Sequence, residues 1–271
     1  MFFDDFLRLT DDMAREGWAE ANAGNLSIRL DGDALAQFPD RQCRGPWIPL
    51  AQPVPDLGGE TLLVTAKGCQ LRNVSHAPRR DCGLAELRAD GGAYRPVWGF
   101  EGTAPTSELA AHLLSHQVRL RRSGGAERVI LHTHPVTLIA LCHVLEPDTR
   151  QLNRLLWGMH PEAVSLFPGG IAYLPFAIPG SAEIARATCE AFETYSMVLW
   201  EYHGIFASAD TMDRAFGMVQ AAEKAARIYQ TACALGGVRR VLPDDAIAAV
   251  AASLRLTPVA GILDGEGGHG A

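Results

Sequence analysis

The sequence predicts a single α/β domain built on a central mixed, largely antiparallel sheet flanked by helices. Three observations carry this. Short strand-like runs and longer helix-like stretches are interspersed without a regular βαβ rhythm. Residues 82–99 read as a hairpin, with two strand-like runs around Asp90-Gly91-Gly92. No Gly-x-Gly-x-x-Gly follows the first strand, which argues against a doubly wound dinucleotide-binding sheet. The 271 residues suffice for one large core. The domain is expected over residues 1–264, with a flexible Gly-rich tail over 265–271.

In chain order, residues 4–17 form an amphipathic helix with Phe6, Leu7 and Met13 on one side. Ala23-Gly24 breaks it, and Leu26, Ile28 and Leu30 alternate as a strand should. Residues 39–59, rich in Pro and Gly, read as a long ordered loop; 61–65 is a strand ending in Ala66-Lys67-Gly68. Pro105-Thr106-Ser107-Glu108 starts a helix, with Ser or Thr as N-cap and an acid in the first turn. Its stripe is Leu109, Leu113, Leu114 and Val118. A strand over 129–134 precedes a helical segment after Pro135. Helices follow at 149–157 and 181–194, short strands at 197–200 and 205–207, and helices at 212–235 and 243–254.

Composition excludes several classes of function. The net charge is −7 and the arginine runs are short, so no nucleic-acid-binding face is expected. The start, MFFDDFLRLTDDM, lacks a basic stretch followed by an apolar core, and no run of about 18 apolar residues exists. A soluble, cytoplasmic protein is expected, with no membrane partner. Six scattered cysteines without a Cys-x-x-Cys pair are expected to be free thiols.

The sharpest local feature is His132-Thr133-His134-Pro135. Residues two apart on a strand share a face, so two imidazoles stand side by side where Pro135 ends the pairing, spaced to grip one cation. A third ligand is open among His76, His112, His116, His143, His160, His203 and His269. His203 is favoured, because Gly204 after it permits close backbone approach. His112 and His116, four apart on a helix, form a pair of their own or sit on an apolar flank. Glu108 reads either as a charge favourable to the helix dipole or as a proton-transfer group near the metal. The N–H groups and hydroxyls of Thr106 and Ser107, with Asn22, Asn25 and the Lys67-Gly68 turn, are donors for an anion.

Taken together, Asn22-Ala23-Gly24-Asn25-Leu26-Ser27, Pro105-Thr106-Ser107-Glu108-Leu109, His132-Thr133-His134 and Tyr202-His203-Gly204 resemble the class II aldolases of the fuculose- and rhamnulose-phosphate type. The resemblance spans nearly the whole chain in the same order. It includes Trp47-Ile48-Pro49-Leu50-Ala51-Gln52-Pro53, Arg72-Asn73-Val74 and Ala222-Glu223-Lys224, which have no evident catalytic need. It implies the fold of the class II aldolases and adducins. It also implies one zinc ion on His132, His134 and His203, and Glu108 as acid/base. Asn22, Asn25, Gly68, Thr106 and Ser107 would surround a substrate phosphate. Glu162 would be a second acid, contributed across a subunit interface of a homotetramer.

The implied reaction is reversible cleavage of a ketose 1-phosphate to dihydroxyacetone phosphate and an aldehyde, L-lactaldehyde, through a zinc-stabilised enediolate. An L-fuculose-1-phosphate aldolase or a pentulose-phosphate 4-epimerase of the same superfamily is the alternative, a dehydratase of the same architecture is a further rival, and a non-catalytic interaction domain is the rival from another class. A Schiff-base aldolase would need a lysine, and only Lys67 and Lys224 exist. One departure stands out. The family's phosphate turn reads Thr-Gly-Ser-Gly-Lys, whereas this chain has Thr65-Ala66-Lys67-Gly68-Cys69. Lys67 is expected to supply charge to the phosphate in place of the lost donors.

Overall fold

The structure, a computed structural model, describes residues 2–42 and 45–263. The expectations for the 265–271 tail, His269 and Cys43 lie outside the described residues. The elements in chain order are α1 (Phe2–Arg15), β1 (Asn25–Arg29), α2 (Gly32–Leu35), β2 (Ile48–Pro49), a 3₁₀ turn (Pro55–Leu57), β3 (Thr61–Thr65), α3 (Leu71–Val74) and α4 (Pro78–Asp81). Then come β4 (Cys82–Leu87), β5 (Ala93–Gly99), α5 (Leu109–Ser123), β6 (Val129–Thr133), α6 (Val136–Leu141), α7 (Thr149–Met159), α8 (Pro161–Leu166) and β7 (Ile171–Leu174). The chain ends with α9 (Ala182–Ala191), β8 (Met197–Trp200), β9 (Gly204–Ala209), α10 (Met212–Ala234) and α11 (Asp244–Ser253).

The strands make one nine-stranded sheet in the order β2-β5-β4-β3-β1-β6-β9-β8-β7. Every pairing is antiparallel except β7 with β8, so the sheet is mixed and largely antiparallel, as the sequence predicts. Every residue of β1, β3, β6, β8 and β9 is buried. Side chains alternate across a strand, so both faces of this central stretch are covered. Helix α5 covers the face bearing Asn25 and Ser27, since its His112 and His116 touch them. Helix α10 packs on β6 and β9 and against α6, α7 and α8.

The hairpin at 82–99 forms as expected. At its turn Gly91 adopts φ +66°, and a Cβ there would lie 2.3 Å from the Val54 carbonyl oxygen. Residues 39–59 are less of a loop than predicted: β2 pairs with β5, and the 3₁₀ turn buries Leu57. The sequence reading also lacks α2, α3, α4, α8 and β7. Each is four to six residues long, too short to show a period. The start of α5 differs as well. Neither Thr106 nor Ser107 caps it; Glu108 occupies the cap position and makes no side-chain bond to the helix. Its carboxylate is engaged by the sheet instead.

Among the described residues no helix is long and apolar enough to cross a membrane. Cys69, Cys82, Cys142, Cys189 and Cys233 are free thiols.

Candidate metal centre

The register of the sheet builds the site. In β1 and β6, Asn25 pairs with His132; in β6 and β9, His132 pairs with Phe206 and Thr133 with Ile205. Cross-strand partners share a face, so Asn25, His132 and Phe206 form one row beneath α5. His134 follows the end of β6, its N–H bonded to the Trp18 carbonyl. His203 lies in the β8–β9 turn, with Tyr202 before it at φ +60° and its own N–H bonded to the Trp200 carbonyl.

Gly204 makes the approach of the two segments possible. A Cβ at that position would lie 2.6 Å from the Thr133 carbonyl oxygen and 2.7 Å from the His134 ring. The ligand-type atoms of His132, His134 and His203 therefore all fall within 4.8 Å of one another.

Hydrogen bonds fix two of the three rings. His132 Nδ1 faces the Ile205 carbonyl at 3.1 Å, and His134 Nδ1 faces the Glu20 carboxylate at 2.9 Å. Each partner only accepts, so both Nδ1 atoms carry the proton and both Nε2 atoms present bare lone pairs. Those two Nε2 atoms are 3.3 Å apart. Lone pairs so placed repel unless a cation sits between them. Two bonds of 2.0–2.1 Å at a tetrahedral angle put ligand nitrogens about 3.3–3.4 Å apart, so the spacing fits a zinc-sized ion. Burial pushes the His203 ring down to about 4 and His132 well below its ordinary value, which keeps both neutral, as ligation requires. His203 Nδ1 is buried with no partner among the described residues. Phe206 stacks on His132 at 4.2 Å and Trp200 lies 5.3 Å from it, walling the rings off.

Glu108 reaches this cluster from the start of α5. Its Oε2 lies 3.5 Å from His132 Nε2 and accepts a 2.9 Å hydrogen bond from Asn25 Nδ2. Burial pushes its carboxyl above the ordinary carboxylate value, against the opposing pull of the Asn25 bond. A carboxylate held ready to take up a proton beside three converging imidazoles is suited to proton transfer at a metal-bound substrate.

The residues expected to bind an anion gather largely by backbone pairing. Ala66 bridges Pro105, the Lys67 N–H bonds to the Ala104 carbonyl, and the Thr65 hydroxyl accepts from the Leu26 N–H. Lys67, Gly68, Thr106 and Ser107 thus lie along one seam that continues to Asn25. Lys67, Gly68, Ser107 and Asn22 are exposed. One expectation needs correcting: the Thr106 N–H is taken by the Thr65 carbonyl, and its hydroxyl accepts from the Glu108 N–H at 3.3 Å. Of its two expected donors for an anion, only the hydroxyl proton remains.

Glu162 is not brought to the histidines. It is exposed at the start of α8 and lines a separate cavity of about 800 Å³ beside α10, with His160, Lys224 and Arg227. Sequence reasoning missed Glu20, one acid among many with no motif to mark it. It also missed the link from Asn25 to His112.

Residues 4–230 match the family model for the Class II Aldolase and Adducin N-terminal domain, and the chain belongs to this family. It is 39% identical to rhamnulose-1-phosphate aldolase of Escherichia coli O1:K1 / APEC over 264 residues, 97% of this chain and 96% of that protein. A sugar-phosphate aldolase from Thermotoga maritima superposes with a TM-score of 0.74 at 30% identity, over 86% of this chain and 95% of that one. L-fuculose-1-phosphate aldolase from Thermus thermophilus, at 20% identity, shares the fold with a TM-score of 0.59 over 89% of this chain and 98% of that one.

Proposed function

We propose that this protein catalyses the reversible cleavage of L-rhamnulose 1-phosphate to dihydroxyacetone phosphate and L-lactaldehyde. The observation that carries the reading is the convergence of two tautomer-fixed Nε2 lone pairs with His203, and with the Glu108 carboxylate 3.5 Å from His132. The choice of sugar rests on the 39% identity to the Escherichia coli enzyme over nearly the full length of both chains.

His132, His134 and His203 would hold the metal, and three imidazoles favour zinc. A divalent cation there supplies Lewis acidity, drawing off negative charge that develops beside a carbonyl. The chain's own groups do the rest. A base takes the proton of the C4 hydroxyl, the C3–C4 bond breaks, and the electron pair stays on C3. Glu108 delivers a proton to C3, completing dihydroxyacetone phosphate. Asn22, Asn25, Lys67, Gly68, Thr106 and Ser107 would bind the phosphate, with the exposed Lys67 ammonium contributing the charge. Glu162 would act at the aldehyde oxygen of a neighbouring subunit's site in a homotetramer, which accords with its lying apart from the histidines of its own chain. A cytoplasmic setting fits the free thiols.

The test is an assay of purified protein against L-rhamnulose 1-phosphate and L-fuculose 1-phosphate, before and after chelation and with zinc restored. Preferential release of dihydroxyacetone phosphate from the rhamnulose ester, abolished by chelator and recovered with zinc, is expected. No release from that ester, or release that survives chelation, contradicts the proposal.

A further inference from the structure

Behind Glu108 and Asn25 runs a buried chain of polar side chains, His112, Ser27 and His116, that the proposed reaction does not use. Asn25 donates from Nδ2 to Glu108, and its Oδ1 is in hydrogen-bond contact with His112 Nε2. His112 Nδ1 lies 2.6 Å from the Ser27 hydroxyl, which lies 2.7 Å from His116 Nε2. His116 Nδ1 is buried and has no partner among the described residues. Ser27 and both rings are fully buried. Burial pushes His112 down to about 3 and His116 well below its ordinary value, so each ring is neutral and carries one N–H.

Such a chain can run in only two directions, and both ends select the same one. If protons point toward Glu108, His116 Nε2–H donates to Ser27, Ser27 donates to His112 Nδ1, and His112 Nε2–H donates to the Asn25 carbonyl. The Asn25 amide then faces the carboxylate, and the orphan at the far end is only a lone pair. Reversal turns the Asn25 carbonyl oxygen onto the Glu108 carboxylate and leaves an unpaired N–H buried at His116. Buried N–H groups without partners are rare and costly whatever the state of Glu108, and oxygen against its ionised carboxylate is repulsive.

We infer that His112, its tautomer set by Ser27 and His116, is a positioning residue that locks the Asn25 amide with its NH₂ toward Glu108 and the substrate. The inference rests on the reading of Glu108 as the proton-transfer group. One Asn25 N–H goes to Glu108 and the second is left for the substrate, so a free amide would disturb both kcat and KM.

The test has two parts. Neutron diffraction from deuterated wild-type protein reads the chain without reference to activity: deuterium on Nε2 of His112 and His116, none on either Nδ1, and ND₂ of Asn25 toward Glu108 are expected. Deuterium on His112 Nδ1 overturns the inference. The second part is a kinetic cycle with L-rhamnulose 1-phosphate. His112→Phe lowers kcat/KM by roughly ten- to a hundredfold, the size of one hydrogen bond to a charged group. His112→Gln, which keeps a donor to Asn25, recovers activity to within about fivefold of wild type. In an Asn25→Ala background His112→Phe costs less than about twofold, because the residue through which it acts is gone. An equal loss in both backgrounds overturns the inference. A wild-type protein inactive on this ester would contradict the proposed function instead, and the neutron result would still decide the direction of the chain.

Discussion

The two halves of the site are built on opposite principles. The proposed metal-facing half is over-determined, above all at the buried His132. His132 is 1% exposed, stacked on Phe206, paired in register with two strands and bonded to the Ile205 carbonyl. The proposed phosphate-facing half consists mostly of exposed loop residues, Asn22, Lys67, Gly68 and Ser107, held by a few backbone bonds. A metal ligand displaced by a fraction of an ångström stops ligating, so the fold places its most rigid strands there. A dianionic phosphate accepts donors from many directions, so on the proposed reading a Lys-Gly turn could stand in place of a Ser-Gly turn without reshaping the sheet. Substitutions in the first half should therefore cost much more than those in the second.

The largest effect is expected at Glu108. Glu108→Gln keeps the shape and the Asn25 contact but not the exchangeable proton. It should lower kcat about a hundred- to ten-thousandfold with little change in zinc content. Steady-state kinetics with metal analysis on the same sample checks this. Glu20→Ala comes next. Removing the acceptor that fixes the His134 tautomer should weaken zinc binding roughly ten- to a hundredfold, measured by competition with a chromogenic chelator. An unchanged affinity would show that the Glu20 contact does not orient the ring.

The third effect concerns stability. His112 is held to about 3 in the folded chain against an ordinary value of 6.5. Below pH 6.5 the unfolded chain binds a proton that the folded chain refuses. Its contribution to stability is therefore whole above 6.5 and lost as pH falls toward 3, at up to roughly 1.4 kcal/mol per unit, or about 2 kcal/mol at pH 5. His116 acts in the same direction. Urea unfolding at pH 7 and pH 5 should show a shallower pH dependence for His112→Gln than for wild type. The smallest effect is expected at Lys67: Lys67→Ala should raise KM for the sugar phosphate about three- to tenfold and leave kcat nearly unchanged, the discount reflecting solvent screening. If Lys67→Ala matched Glu20→Ala in its effect on zinc binding, the contrast between the halves would collapse.

Legibility in the sequence follows the same division. The His132/His134 pair was readable because a strand has a period of two, and the place of His203 was hinted at by Gly204, whose missing Cβ the close approach of Thr133 requires. The largely antiparallel sheet was readable from the Asp90-Gly91-Gly92 hairpin and the missing βαβ rhythm. Strand β7 was not, because Ile171–Leu174 is four residues closed by Pro175, too short to show alternation, and it forms the one parallel pair. The helix-start signature at Pro105–Glu108 pointed to the right place but the wrong cap, since the tertiary hydrogen bond from Asn25 draws the Glu108 carboxylate away from the helix. Glu20, Ser27 and the direction of the buried chain depend on which side chains meet across 80 or more residues, as the 114-residue gap from Glu20 to His134 and the 85-residue gap from Ser27 to His112 illustrate. No local pattern encodes that.

Metal stoichiometry and affinity, measured on wild type and on the single alanine variants of His132, His134 and His203, test the central claim most directly. The account predicts one zinc ion per wild-type chain and a large loss of affinity in each variant, with far-UV circular dichroism preserved. Variants that hold zinc as tightly as wild type would contradict it.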